Sequence, residues 1–159
     1  MKNIYTLLSI LIISLTVYLS FDDLMPSSVK SIESTGFSFD NALNHLKVIS
    51  KEPHYTGSKY HQDVQNYIVN ELKKMGLETE IQNQVVLSSR RVGTNAANII
   101  GTIKGSRKGK SLVLLTHYDS SAHSSFGASD AGSGVVTILE GFRAFLLKNN
   151  TPVNDIHLV

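Results

Sequence analysis

His117 and Asp119, two residues apart, and Asp130, which follows across a glycine-bearing loop, are the side chains of this sequence whose types and spacing favour chemistry. A neutral imidazole nitrogen and carboxylate oxygens are what zinc takes as ligands, and a further carboxylate behind the imidazole fixes its tautomer. On an extended segment residues i and i+2 point the same way, but the backbone between them is too short for His117 and Asp119 to share one ion easily. Asp119 is therefore expected to orient His117 rather than to bind the metal, while Asp130 supplies a second carboxylate. Each assignment has a plainer rival. A His-x-Asp pair is often only a histidine satisfied by its neighbour, and an aspartate in a glycine-rich loop often caps the helix that follows, a role Asp130 can hold together with metal binding.

The elements around these residues favour the metal. Residues 112–115 form a short, continuous apolar run, read as a strand covered on both faces, and His117 follows at its carboxyl end, where α/β sheets open into ligand crevices. Residues 127–134 contain three glycines, which permit close backbone approach, and a helix is expected over 135–147. Gly127-x-Ser129-x-Ala131 approximates the nucleophile elbow of serine hydrolases, but that elbow needs a strand running directly into the serine, and residues 120–126 are a polar loop. His123 reads as an exposed loop residue, His54 and His61 as packing or surface residues at a helix start, and His45 and His157 have no visible partner.

Upstream, residues 4–21 carry no charge and at 18 residues would extend about 27 Å as a helix, close to the roughly 30 Å of a bilayer core. The end of this stretch lacks a small-residue cleavage site, so it is read as an uncleaved transmembrane anchor. Lys2 before it and Asp22-Asp23 after it place residues 1–3 as a cytoplasmic tail and the rest on the non-cytoplasmic side, in periplasm, lumen or outside the cell. Residues 22–37 read as a linker and 38–159 as one domain, with its core motifs over 96–159. Ser38 or Asp40 caps a helix to about residue 50, with Ala42, Leu43, Leu46, Val48 and Ile49 as its inner face. Pro53 and a turn through Gly57 lead to a helix over 59–75 with Val64, Tyr67, Ile68 and Leu72 inward and Gly76 as its stop. Strands are expected over 78–87, 96–103 and 155–159, and the basic stretch 104–110 as a hairpin turn into the strand at 112.

The composition narrows the field. The chain has 159 residues, a net charge of +2 and no cysteine, so disulfides and thiolate metal sites are excluded and any metal is held by His and carboxylates. No aromatic residue interleaves Lys104, Arg107, Lys108 and Lys110, which argues against a nucleic-acid surface. Nothing in the sequence fixes an oligomeric state.

His117-Tyr118-Asp119-Ser120, then Gly127-Ala128-Ser129-Asp130 and a Gly-Ser-Gly into a helix ending Leu139-Glu140, resembles the first half of the active site of the co-catalytic di-zinc exopeptidases. These are the aminopeptidase family that includes glutamate carboxypeptidase. The resemblance runs from about Pro53 to the end and is nearest to the membrane-bound branch of endoplasmic reticulum metallopeptidases and vacuolar membrane proteases. It implies an α/β three-layer sandwich with a mixed, mostly parallel central sheet. It also implies two zinc ions, peptide substrates and aminopeptidase chemistry, with His117 on one zinc, Asp130 bridging both and Asp119 orienting the site. One position departs: the family usually has an acidic residue or Asn after the bridging aspartate, often across a cis peptide, where this sequence has Ala131.

In that family the general base and a further ligand form a Glu-Glu pair just after the next strand, and this sequence ends in the strand that leads to it. Two protein ligands do not complete a zinc site. The expectation is accordingly an amino-terminal fragment, inactive alone, with an unpaired sheet edge and an uncovered apolar helix face. Two alternatives remain: a scaffold member of the same fold without activity, disfavoured by the clustered charge at the three site residues, and a glutaminyl cyclase-like acyltransferase.

Overall fold

The computed structural model describes residues 2–24, 36–87, 93–123 and 125–159, and the chain divides into two compact units, residues 1–30 and 31–159. The expected linker lies largely outside the described residues. The first unit is one helix, α1 (Lys2–Leu24), whose segment Ile4–Phe21 has a mean hydropathy of 2.1 and no buried residue. It is long and apolar enough to cross a membrane. Its hydroxyls bond their own helix, Ser9 Oγ donating to Tyr5 O at 2.9 Å and Thr16 Oγ1 to Ile12 O at 2.8 Å, so neither needs an outside partner.

In the second unit helices pack on a mixed four-stranded sheet, the α/β architecture expected. Helix α2 (Phe39–Ile49) starts at Ser38, whose Oγ accepts from the Asn41 N–H at 3.2 Å, and Lys47 in its last turn complements the helix dipole. Ala42 and Ile49 are buried, whereas Val48, expected inward, is 40% exposed because it lies off the face shared by residues 42, 46 and 49. Helix α3 (Lys59–Lys74) is capped by Ser58 in the same way and ends before Gly76, whose φ of +76° is the left-handed value that suits glycine. Its apolar stripe, Val64, Ile68 and Leu72, is buried, and the Leu72 side chain fills the space that a Cβ at Gly101 of the sheet would need.

The strands are β1 (Glu78–Leu87), β2 (Gly93–Ile103), β3 (Leu112–Leu114) and β4 (Ile156–Leu158), in spatial order β1-β2-β4-β3. β1–β2 and β2–β4 pair antiparallel, and β4–β3 pairs parallel. Two expectations are corrected here. The 104–110 stretch is not a hairpin turn, because β4 lies between β2 and β3; the stretch instead bonds the segment before β4, with Ser106 N donating to Pro152 O and Arg107 N to Val153 O, both at 2.9 Å. β3 is not covered on both faces. Among the described residues it is an edge strand, with Leu112 54% and Val113 53% exposed, and Leu115, beyond its end, 76% exposed. The unpaired edge expected from the sequence is present. The uncovered helix face is not, since α4 (Ser133–Leu147) buries Val135, Val136, Leu139 and Phe142 in one core with Ile99, Ile103 and Leu158 of the sheet.

Candidate metal centre

The site grows from the end of β3. Thr116 N donates to Val159 O at 3.0 Å and carries the β3–β4 pairing one step past the strand, which keeps the next residues extended. Alternation then sends His117 and Asp119 one way and Tyr118 the other. Tyr118 is fastened by its hydroxyl, which donates to Ala97 O at 3.2 Å and accepts from Gln65 Nε2 at 3.1 Å, and by its ring, stacked on His61 with centroids 4.8 Å apart. Burial holds the His61 ring below its ordinary pKa, the nearby Asp119 charge opposing it.

The loop beyond Asp119 is tied down at Ser120, which is buried, and at Gly127, whose φ is +70°. One wide helical turn, Ala128–Gly132, closes with Gly132 N donating to Gly127 O at 2.8 Å. Asp130 (φ −125°, ψ 94°) and Ala131 break the helical path inside that turn, and the peptide between them is cis, as in the family that the sequence resembles. Asp130 does not cap α4: the capping position is Gly132, with no side-chain bond. The carboxylate points to His117 instead.

All three residues singled out in the sequence therefore meet. Asp119 Oδ1 and the Asp119 carbonyl oxygen each lie 3.1 Å from His117 Nδ1, and Asp130 Oδ1 lies 2.9 Å from His117 Nε2. Burial lowers the pKa of the ring, but hydrogen bonds to Asp130 and Asp119 and the Asp119 charge outweigh it, so His117 titrates above its ordinary value. The His117 and Asp130 side chains are 54% and 85% exposed, so the pair lies at the surface. This donor set fits zinc: Nδ1 is occupied by Asp119, and Nε2 and a carboxylate oxygen converge. Among the described residues no cluster of three His, Asp or Glu side chains converges on one ion, so further ligands or water would have to complete it. A cleft of about 500 Å³ adjoins the site, bounded by His61, Ala97, Ile99, Leu115, Tyr118 and Asp119.

Residues 98–159 match the sequence profile of peptidase family M28. That segment is similar to the M28 peptidases and makes up less than half of the chain. It contains His117, Asp119 and Asp130. A vacuolar membrane protease of Schizosaccharomyces japonicus is 32% identical over 120 residues, covering 68% of this chain, and the chain spans 14% of the length of that relative. Two solved structures from Bacteroides thetaiotaomicron share the fold of the M28 segment and the elements before it, each at 25% identity and a TM-score of 0.65. One is a leucine aminopeptidase precursor, covering 80% of this chain and 48% of its own. The other is a glutaminyl cyclase bound to N-acetylhistamine, covering 79% and 47%.

His45 Nδ1 lies 2.7 Å from Tyr67 Oη and His157 Nδ1 2.9 Å from Thr102 Oγ1, while His123 is exposed. Sequence reasoning missed Tyr118, Gln65, Ser120 and His54 as supports of the site. Tyr118 was open to inference from the alternation around it. His54 bonds Ser120 across 66 residues, a pairing no local pattern announces.

Proposed function

We propose that this chain carries the amino-terminal part of the active site of a membrane-anchored zinc metallopeptidase of aminopeptidase type, acting on peptides on the non-cytoplasmic side. The observation that carries the reading is His117 held between two carboxylates, one at each ring nitrogen. His117 Nε2 and Asp130 would hold the zinc, and Asp119 would orient His117. The M28 match, the vacuolar membrane protease relative and the apolar α1 support peptidase chemistry at a membrane.

When bound, the metal supplies Lewis acidity toward the substrate carbonyl and lowers the pKa of a bound water. The residues of this chain prepare for that. Asp119 holds the Nδ1 proton of His117, which directs the Nε2 lone pair outward and raises its basicity. Tyr118, fixed through Ala97 and Gln65, prevents the segment from rotating, and the left-handed Gly127 turns the loop so that Asp130 returns to the same point. The general base and remaining ligands are expected from outside these residues.

The test is the zinc content and hydrolytic activity of the full-length gene product, with His117→Ala beside it. Near two zinc per chain and release of amino-terminal residues from peptides, both lost in the variant, are expected. Zinc retained at full stoichiometry by His117→Ala would overturn the ligand assignment. The equal similarity to a glutaminyl cyclase favours a second reading, acyl transfer at a single zinc. Cyclisation of amino-terminal glutamine, with no peptide hydrolysis and one zinc per chain, would establish it. A carboxyl-terminal tag accessible to protease only from the non-cytoplasmic side is expected, and protection there would reverse the topology.

A further inference from the structure

Among the described residues, Nε2 of His54 is the buried side-chain polar atom without a hydrogen-bond partner. His54 is 0% exposed. It precedes α3, outside the M28 segment, and lies beneath the loop that joins the two halves of the metal centre. Its backbone is bonded to Ser120 in both directions, His54 N donating to Ser120 Oγ at 2.8 Å and Ser120 N to His54 O at 3.3 Å. Its Nδ1 sits 3.0 Å from Glu52 O, which makes Nδ1 the protonated nitrogen and leaves Nε2 as an acceptor. Tyr60 meets the ring edge-on, with centroids 6.4 Å apart.

The other side of the ring faces Gly127. A Cβ at Gly127 would stand 2.8 Å from His54 Cε1, 3.1 Å from Nε2 and 2.9 Å from Ser120 Cβ, so the imidazole occupies the space that a side chain there would need. Glycine is thus required at Gly127 twice, by its φ of +70° and by His54. Ser120 directly follows Asp119, and Gly127 O anchors the turn that carries Asp130. His54 therefore holds both ends of the loop, Ser120 through its backbone and Gly127 through its ring, the one next to Asp119 and the other at the base of the turn that carries Asp130.

We propose that His54 is a positioning residue of the metal centre: bonded through its backbone to Ser120 and packed through its imidazole against Gly127, it sets the separation between the His117–Asp119 pair and Asp130. The inference rests on the zinc reading given above. A buried acceptor without a donor is unfavourable, and an apolar ring in its place would avoid that penalty but lose the Nδ1 bond that fixes the ring plane. The imidazole thus serves orientation rather than stability alone.

The experiment uses the full-length gene product, wild type, His54→Ala and Gly127→Ala, with zinc alone as the first probe and peptide hydrolysis as the second. His54→Ala is expected to give a folded protein by circular dichroism with zinc affinity at least tenfold weaker, and a fall in kcat with KM little changed. Added imidazole, filling the vacated space, is expected to restore part of both. Gly127→Ala, which leaves His54 intact but pushes on it, is expected to weaken zinc in the same way, and the double variant to lose less than the product of the two effects. If His54→Ala does not fold, Gly127→Ala decides alone, and wild-type zinc affinity in it overturns the proposal. A folded His54→Ala with unaltered zinc affinity and kcat overturns it while the metal reading stands. Wild-type protein without zinc overturns the metal reading and this inference together.

Discussion

Nε2 of His117 lies 2.9 Å from Oδ1 of Asp130, two side chains brought together from opposite ends of the site loop. At that distance the contact is a hydrogen bond and needs a proton, whereas a metal between the same atoms needs Nε2 bare. Proton and zinc therefore compete for one nitrogen, and the raised pKa of His117 extends the competition to higher pH. Zinc affinity is expected to weaken by up to about tenfold per pH unit below the His117 pKa and to level off above it. Zinc titrations at several pH values measure this, and an affinity independent of pH between 5 and 8 would show that His117 is not a ligand.

Asp119 bears on the same nitrogen pair from the other side. Its Oδ1 accepts the hydrogen bond of Nδ1–H at 3.1 Å, so Asp119→Asn removes the charge and weakens the acceptor without emptying the space. Most of the zinc is expected to remain while turnover falls about 10- to 100-fold, as for other carboxylates behind a metal-bound histidine. Steady-state kinetics beside zinc analysis separate the two, and unchanged turnover would remove Asp119 from the site.

Tyr118 offers a test that needs no metal. Tyr118→Phe keeps the stack on His61 but deletes the hydroxyl bonded to Ala97 O and Gln65 Nε2. A half-buried hydroxyl with two partners is expected to contribute about 1 kcal/mol, read as a lower urea midpoint at unchanged slope. An unshifted midpoint would mean that the His117–Asp119 segment is held by the strand pairing alone.

The local half of this structure was legible because local physics writes it. The Ser38 cap, the Gly76 stop, the extent of β1 and the convergence of His117, Asp119 and Asp130 all follow from residues close in the chain. What failed was non-local. The run at 112–115 is as apolar as a strand buried on both faces, yet burial depends on what packs over each face, and Leu112 and Val113, on opposite faces of β3, are both more than half exposed. The stretch at 104–110 has turn chemistry, but turn chemistry does not say that β4 comes between its flanking strands. Val48 shows the finer limit: within an apolar pair, helix phase decides which member faces in.

Glu140 combines both kinds of information, since its pairing with Arg143 is one helical turn and its bond to Ser38 spans 102 residues. Its carboxylate is fully buried; Oε1 accepts from Ser38 N at 2.7 Å and Oε2 from Arg143 Nε at 2.6 Å, while Arg143 Nη2 donates to Gly36 O at 2.8 Å. Burial pushes this acid up, but the Arg143 guanidinium, the Ser38 N–H and the charges of Arg143 and His45 outweigh it, so its pKa is lowered. A carboxyl depressed in the folded state stabilises fully above its unfolded pKa, about 4.3, and that stability is lost as pH falls through the folded value. Glu140→Gln leaves Arg143 without its counter-charge and is expected to lose up to about 3 kcal/mol at pH 7, less than a fully buried pair because Arg143 is a quarter exposed. The variant should also show a shallower decline in stability below pH 4.3 than wild type. Parallel acid limbs, with a constant difference down to pH 2, would mean that the segment before α2 is held by the backbone contacts of Gly36 and Ser38 and not by the charge of Glu140.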